Sequence, residues 1–259
     1  MPEAAAKVRL FVESDLDAGA GVDLTQPQAH YLFAVMRLGV GAPVKLFNGR
    51  DGEWLAEAVE AGRRGGRLVC RDRLRPQTRP RDLHLLFAPV KKARTDFIVE
   101  KACELGCAAL RPVFTRYTNA ERLRPDRLRA HMVEAAEQCG FLSIPELAEA
   151  ERLDRVLDAW EAADAGRRLV FCDERRDAPP LAEALAPHAR PGGDAGPWAV
   201  LIGPEGGFSD EEAARLRRLP GVVPAALGPR ILRADTAATT ALAIWQSVLG
   251  DWTGGEAEA

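Results

Sequence analysis

The chain has 259 residues, 47% of them hydrophobic and 28% charged, with a formal net charge of −3 at pH 7. That length and balance suit a globular protein with two cores and exclude a disordered or collagen-like chain. No stretch reaches the roughly 18 apolar residues of a membrane span, and Met1–Arg9 carries Glu3 without an apolar core, so no membrane partner or secretory signal is expected.

In chain order, Val8–Val12 alternates as a strand does, and Gln28–Leu38 places Tyr31, Leu32, Val35 and Met36 at helical spacing before Gly39. Pro43–Phe47, Trp54–Val59 and Arg67–Arg71 are short strand candidates, divided by Asn48–Gly52 and Gly62–Gly66. Short strands at about ten-residue spacing predict a small barrel. Gly49-Arg50-Asp51-Gly52 reads as a hairpin turn rather than as a catalytic Asp51. From Arg63 to Arg81 run eight arginines against one acid, Asp72. Arginine in such excess suits bidentate contact with phosphates, so RNA is an expected partner despite the net charge. Arg71, Arg73 and Arg75 are the candidates here. Pro76–Pro80 marks a linker, taken as residues 76–81.

Beyond it, strand Leu83–Val90 leads through Lys91, Lys92 and Arg94, three further candidate RNA contacts, into a helix Thr95–Leu105 stopped at Gly106. Strand Ala108–Phe114 follows. A third basic cluster is Arg122, Arg124, Arg127 and Arg129, and Pro125 opens a helix carrying Met132, Val133, Ala136 and Cys139. A helix Arg152–Trp160, a strand Leu169–Cys172 and a flexible Pro187–Pro197 connection complete this part. Strands alternating with helices predict an α/β domain whose parallel sheet is covered on both faces. The five cysteines are odd in number and never spaced Cys-x-x-Cys, which points to reduced thiols in a cytoplasmic protein. Cys103 and Cys107 share a helical face with no nearby His, so burial is expected and no metal site.

Two apolar runs near the C-terminus each end in a turn-rich loop: Val200-Leu201-Ile202 before Gly203-Pro204-Glu205-Gly206-Gly207-Phe208, and Ala225-Ala226-Leu227 before Gly228–Thr236. Both feed helices. Ser209 and Glu212 have capping-box spacing, and Asp235 is the expected N-cap of Ala237–Leu249. Such loops lie where open α/β sheets bind ligands, beyond the carboxyl ends of their strands. Neither loop has the spacing of a mononucleotide or dinucleotide phosphate loop, and Glu205 would repel a phosphate. A ligand with hydroxyls, an amine or a cationic centre suits them better.

The two loops resemble, nearly letter for letter, the Gly-Pro-Glu-Gly-Gly and Leu-Gly-x-Arg-Ile-Leu-Arg-x-Glu-Thr-Ala motifs of the RsmE-type ribosomal RNA uridine-N3 methyltransferases, of the SPOUT class. Lys101–Gly106 and Glu134–Gly140 match further motifs of that family, and His30–Arg37 with Leu46–Gly49 resembles its PUA-like domain. The chain departs from the pattern at Ala234-Asp235, where Thr-Glu is commonest, and at Phe141, where many members have Arg. The resemblance implies a small N-terminal PUA-like β-barrel for RNA binding (residues 1–75) and a trefoil-knotted, SPOUT-like parallel-sheet domain (82–250). A flexible tail (251–259) would follow.

It also implies S-adenosylmethionine as cofactor, held by Cys172, Leu201, Ile202, Gly203, Glu205, Gly206 and Gly207, and by Leu227, Gly228, Ile231, Leu232, Thr236 and Ala237. The implied reaction methylates N3 of a uridine in 16S ribosomal RNA of the small subunit. Ala237–Leu249 is apolar over much of its circumference, which together with the resemblance predicts a homodimer. N3 of uracil carries a proton at neutral pH that must leave before the methyl is accepted, and a guanidinium aimed at a flanking carbonyl oxygen would stabilise the developing anion. Arg233, then Arg230, are the candidates for it, with Asp235 or Glu205 as proton acceptor. The alternatives are a SPOUT enzyme acting on another RNA such as tRNA, and a non-catalytic RNA-binding assembly factor.

Overall fold

The strands of alternating pattern and the strands of near-continuous apolar sequence sort into two separate sheets. The computed structural model describes residues 6–119, 123–164, 166–173, 175, 177–190 and 195–253; Arg122, part of the Pro187–Pro197 connection and the tail beyond residue 253 lie outside them. The chain divides into two units, one running to Arg79 and taking in Ala136–Ile144, the other made of Pro80–Ala135 and the chain from Pro145 onward.

The first unit holds β1 (Arg9–Phe11), β2 (Gly21–Asp23), a short α1 (Gln26–Ala29), β3 (Pro43–Phe47), β4 (Glu53–Gly62) and β5 (Gly65–Arg75). Its sheet order is β1-β3-β4-β5-β2, with β1 and β3 parallel and the rest antiparallel. Three register shifts between β4 and β5 bend this long pair, as bulges do. All five strands thereby line one core that includes Leu10, Val22, Leu46, Ala56 and Leu68.

The helix expected over Gln28–Leu38 starts earlier and is not regular. Thr25 and Gln28 form a capping box, and after one α turn the chain widens into π turns over His30–Val35. Arg37, at φ 54°, ends them, and the Leu38 amide bonds back to the Leu32 carbonyl. The left-handed residue with its long return bond is a helix stop that ordinarily uses glycine. Asp51 is structural. It accepts the Leu16 amide at 2.9 Å and the Asn48 side chain at 2.6 Å, which hold its carboxyl below the usual range.

Glu53 is the buried hub of this unit. Arg9 donates to it at 2.6 Å and Arg75 through two bonds of 3.0 Å. Arg9 also bonds the carbonyls of Ala136, Glu137 and Phe141, and Arg75 that of Gly140. Burial pushes the Glu53 carboxyl upward, but the two guanidinium bonds outweigh it and hold the group below its ordinary range.

The second unit runs β6 (Leu83–Phe87), α2 (Lys92–Glu104), β7 (Ala109–Phe114), α3 (Pro125–Cys139, whose residues from Ala136 on belong to the first unit), β8 (Glu146–Leu147), β9 (Glu151–Arg152), α4 (Leu153–Ala163) and β10 (Arg168–Cys172). It continues with α5 (Leu181–Leu185), β11 (Trp198–Ile202), α6 (Asp210–Arg218), β12 (Val222–Ala225) and α7 (Ala234–Val248). The strands are all parallel, in the order β12-β10-β11-β6-β7-β8, with β9 also on β7. Trp160, Leu157 and Leu216 of α4 and α6 pack on one face with Leu86, Phe171 and Leu201. On the other, α7 packs against β11, α2 and α5. Trp198–Ile202 is wholly buried, as a strand covered on both faces must be. Cys103 and Cys107 are buried, as expected.

Two helix starts separate local from tertiary control. Ser209 caps α6 with Glu212 as its spacing predicts. Asp235, expected to cap α7, instead sits in its first turn; Arg233 holds the cap position without a side-chain bond.

Candidate active site

Because β10 lies between β11 and β12, three strand ends stand side by side and their loops close around a cleft of about 230 Å³. Cys172, Ile202, Gly203, Glu205, Gly206 and Gly207 line it from β10 and β11; Leu227, Gly228, Ile231, Leu232 and Ala237 line it from beyond β12. Leu201 and Thr236 do not. Leu201 is buried one residue earlier in β11, with its side chain in the core cluster, and Thr236 is exposed on the first turn of α7. Arg230 lines the cleft; Arg233 and Asp235 are off its wall.

The loop chemistry explains the glycines. A Cβ on Gly203 would stand 2.6 Å from the Phe208 ring, which packs edge-on against Phe171. Gly207 is at φ 69° and Gly228 at φ 102°, conformations that glycine adopts without strain. Ile202, Leu227, Leu232 and Ala237 give the wall its apolar part, and Ile231 is left 79% exposed.

Asp173, the first residue of the loop after Cys172, also lines the cleft, although sequence reasoning assigns it no role of its own. Its side chain is fully buried and its charge is met by Arg217 of α6 at 2.6 Å, which also reaches Asp177 at 2.5 Å. The only advance signal was its place directly after an apolar run. Burial pushes the Cys172 thiol up to about 12, so it is a neutral wall group and not a nucleophile.

Arg94, at the start of α2, forms an ion pair with Glu205 and lies 3.8 Å from Asp235. It thus ties the Gly203–Gly207 loop to the first turn of α7, and its charge is committed to two acids. Asp235 also accepts the Thr236 amide at 2.9 Å. Arg230 and Arg233 are exposed, and among the described residues neither side chain has a partner.

A second recess, of about 530 Å³, shares Pro204, Glu205 and Gly206 with the cleft and includes Lys91 and Lys92. Of the three arginines singled out on β5, Arg75 is held by Glu53 and Arg71 by Glu57, while Arg73 is exposed without a partner among the described residues. No group of His, Cys, Asp and Glu among the described residues is arranged to hold a metal, and no described helix is long and apolar enough to cross a membrane.

Residues 77–246 match the RNA methyltransferase domain family, and residues 24–68 its RNA methyltransferase PUA domain. A relative from Synechocystis is 30% identical over 238 residues, covering 91% of this chain and 76% of that one. One from Rickettsia conorii is 27% identical over 236 residues, covering 91% and 93%. Both are named ribosomal RNA small subunit methyltransferase E. A putative methyltransferase of Legionella pneumophila, solved with its bound cofactor SAM, superimposes with a TM-score of 0.79 at 27% identity, over 93% of this chain and 97% of that one. A ribosomal RNA small subunit methyltransferase E from Neisseria gonorrhoeae, bound to S-adenosyl methionine, has the same fold, with a TM-score of 0.82 at 22% identity over 95% and 99%.

Proposed function

This chain belongs to the RNA methyltransferase domain family, and we propose that it moves a methyl group from S-adenosylmethionine to N3 of a uridine in 16S ribosomal RNA. Its activity is S-adenosylmethionine-dependent methylation of small-subunit ribosomal RNA. The observation that carries the reading is the cleft. It joins close-approach glycine backbone, an apolar wall and a carboxylate, and has no loop with phosphate-binding spacing.

These residues fit the cofactor. Gly207 and Gly228 leave room for backbone groups to meet a purine, and Ile202, Leu227 and Leu232 offer it an apolar slot. Glu205 adds carboxylate oxygens that can accept from the cofactor's hydroxyls or amine, with its charge met by Arg94. When bound, S-adenosylmethionine supplies an electrophilic methyl group, and its transfer leaves a neutral thioether.

The remaining task belongs to the protein. N3–H of uracil must lose its proton before the nitrogen can accept the methyl, and the charge then spreads onto the flanking carbonyl oxygens. We assign Arg233, with Arg230 as second, to those oxygens: a guanidinium without a partner among the described residues is free to bond the substrate. Asp235, or Glu205, takes the proton directly or through a water. Arg94 holds both carboxylates in place between α2, the glycine loop and α7.

Arg233→Ala should lower turnover on undermodified small subunits by ~10²–10³, the usual effect of removing one such donor, while cofactor affinity stays the same. Raising the pH should restore part of the rate. Loss of cofactor binding together with turnover would assign Arg233 to holding its loop instead. The reading also includes a cytoplasmic location, a knotted threading of the second unit, and a homodimer formed through α7. A monomer mass by light scattering would remove the last of these.

A further inference from the structure

We propose that the recess beside the cofactor cleft seats the target nucleotide of the RNA, with Tyr117 as the surface on which the base stacks and Lys91, Lys92 and Arg124 as contacts to its neighbouring phosphates. The proposal rests on the methyltransferase reading above and gives the substrate side of the same site. The recess, at about 530 Å³, is larger than the cofactor cleft, and the wall between them is Pro204-Glu205-Gly206. Because those three residues line both, a base held there lies next to the cofactor cleft, as a methyl acceptor must.

Its charge is unbalanced in one direction. Both acids on the wall are already paired, Asp96 by Arg127 and Glu205 by Arg94. Lys91, Lys92 and Arg124 have no side-chain partner among the described residues. Three free cations beside two neutralised acids favour a polyanion, and no described side chain pairs with them.

Tyr117 supplies what a surface phosphate site lacks. The residue is 46% exposed, yet its turn is held on both sides. The Thr115 amide bonds the Thr118 hydroxyl at 2.9 Å, the Thr118 amide the Thr115 carbonyl at 3.2 Å, and the Arg116 amide the Glu212 carboxylate at 2.8 Å. Its stem rests on the cofactor loop, since a Cβ on Gly206 would come within 3.1 Å of the Tyr117 Cβ. An exposed ring on a fixed backbone loses little freedom when a base stacks on it. Enzymes that modify a base take it out of its stack, and an aromatic face is what receives it.

The test uses the full-length protein with undermodified small subunits as methyl acceptor and oligouridylate as binding probe. Tyr117→Ala should lower kcat/KM for the subunits by about 10-fold or more and weaken oligouridylate to a similar degree, whereas Tyr117→Phe, which keeps the ring, should stay within about twofold. Cofactor affinity by calorimetry should be unchanged in both. Arg124→Ala should flatten the slope of log affinity against log salt by about 0.7, one phosphate contact on a single strand. Unchanged kcat/KM and oligouridylate affinity in Tyr117→Ala would overturn the proposal. So would Tyr117→Phe losing as much as Tyr117→Ala, or an unchanged salt slope in Arg124→Ala. A wild-type protein that methylates no subunit yet binds oligouridylate in a Tyr117-dependent way would instead count against the reaction and leave the recess as an RNA seat.

Discussion

Replacing Glu53 by Gln tests the hub of the first unit with almost no change of shape. The carboxylate is 3% exposed and receives three bonds from two guanidiniums, one 13% and the other 46% exposed. A glutamine keeps one acceptor oxygen but turns an NH₂ toward a donor, leaving Arg9 charged, largely buried and without its counter-ion. Breaking a buried pair from one side costs ~3–5 kcal/mol, and because Arg75 reaches solvent the lower end, about 3 kcal/mol, is expected. At about 1.4 kcal/mol per tenfold, the slowest amides of β3, β4 and β5 should exchange with deuterium about 100-fold faster at pH 7. The pH dependence has a definite sign. Glu53 titrates lower in the folded protein than in the unfolded chain, so its contribution is complete above the unfolded value and lost as pH falls through the folded one. The gap between wild type and Glu53→Gln should therefore close on acidification below about pH 4.3, the ordinary glutamate value. A rise in exchange under about threefold at pH 7, or a gap that persists at low pH, would refute the argument.

Three further outcomes are expected. Gly207→Val forces a β-branched residue into φ 69°, which costs about 1–3 kcal/mol of local strain, and calorimetry should show cofactor affinity down about tenfold or more; unchanged affinity would move the cofactor elsewhere. Burial, then the charge of Arg167, lowers the His84 pKa to about 4, so the folded protein resists a proton that the unfolded chain takes up. Stability should be level above about pH 6.5 and fall between there and pH 4, and His84→Gln should flatten that stretch of the melting profile; identical slopes in both proteins would sink the assignment. Among the β5 arginines, Arg73→Ala should reduce the salt dependence of RNA binding with no loss of melting temperature, whereas Arg75→Ala should lower the melting temperature; the reverse pattern would show the pairing with Glu53 to be dispensable.

What the amino-acid order settled by itself was local. Apolar runs, broken in the first only by His84, made Leu83–Phe87 and Trp198–Ile202 central parallel strands, because a strand covered on both faces has no polar side to alternate with. Ser209 and Glu212 set the start of α6 through bonds that span three residues. The glycine loops were legible for the same reason: a positive φ or a missing Cβ is a property of one position. Where a turn had competing local options the boundaries slipped, as at Thr25–Val35, where a capping box and π turns replaced a regular helix.

The partners of charged groups were decided by the tertiary structure alone. Arg94 meets Glu205 across 111 positions, and Arg9 meets the Phe11-bonded Glu137 region across 127 and more. Among the clustered arginines, sequence shows that charge is present but not which charges are already neutralised. Only the placement of β10 between its neighbours brought Cys172 and Asp173 to the two glycine loops. Periodicity, capping and turn chemistry act over at most a few residues and so are written locally, whereas an ion pair or a shared wall depends on the path of the whole chain.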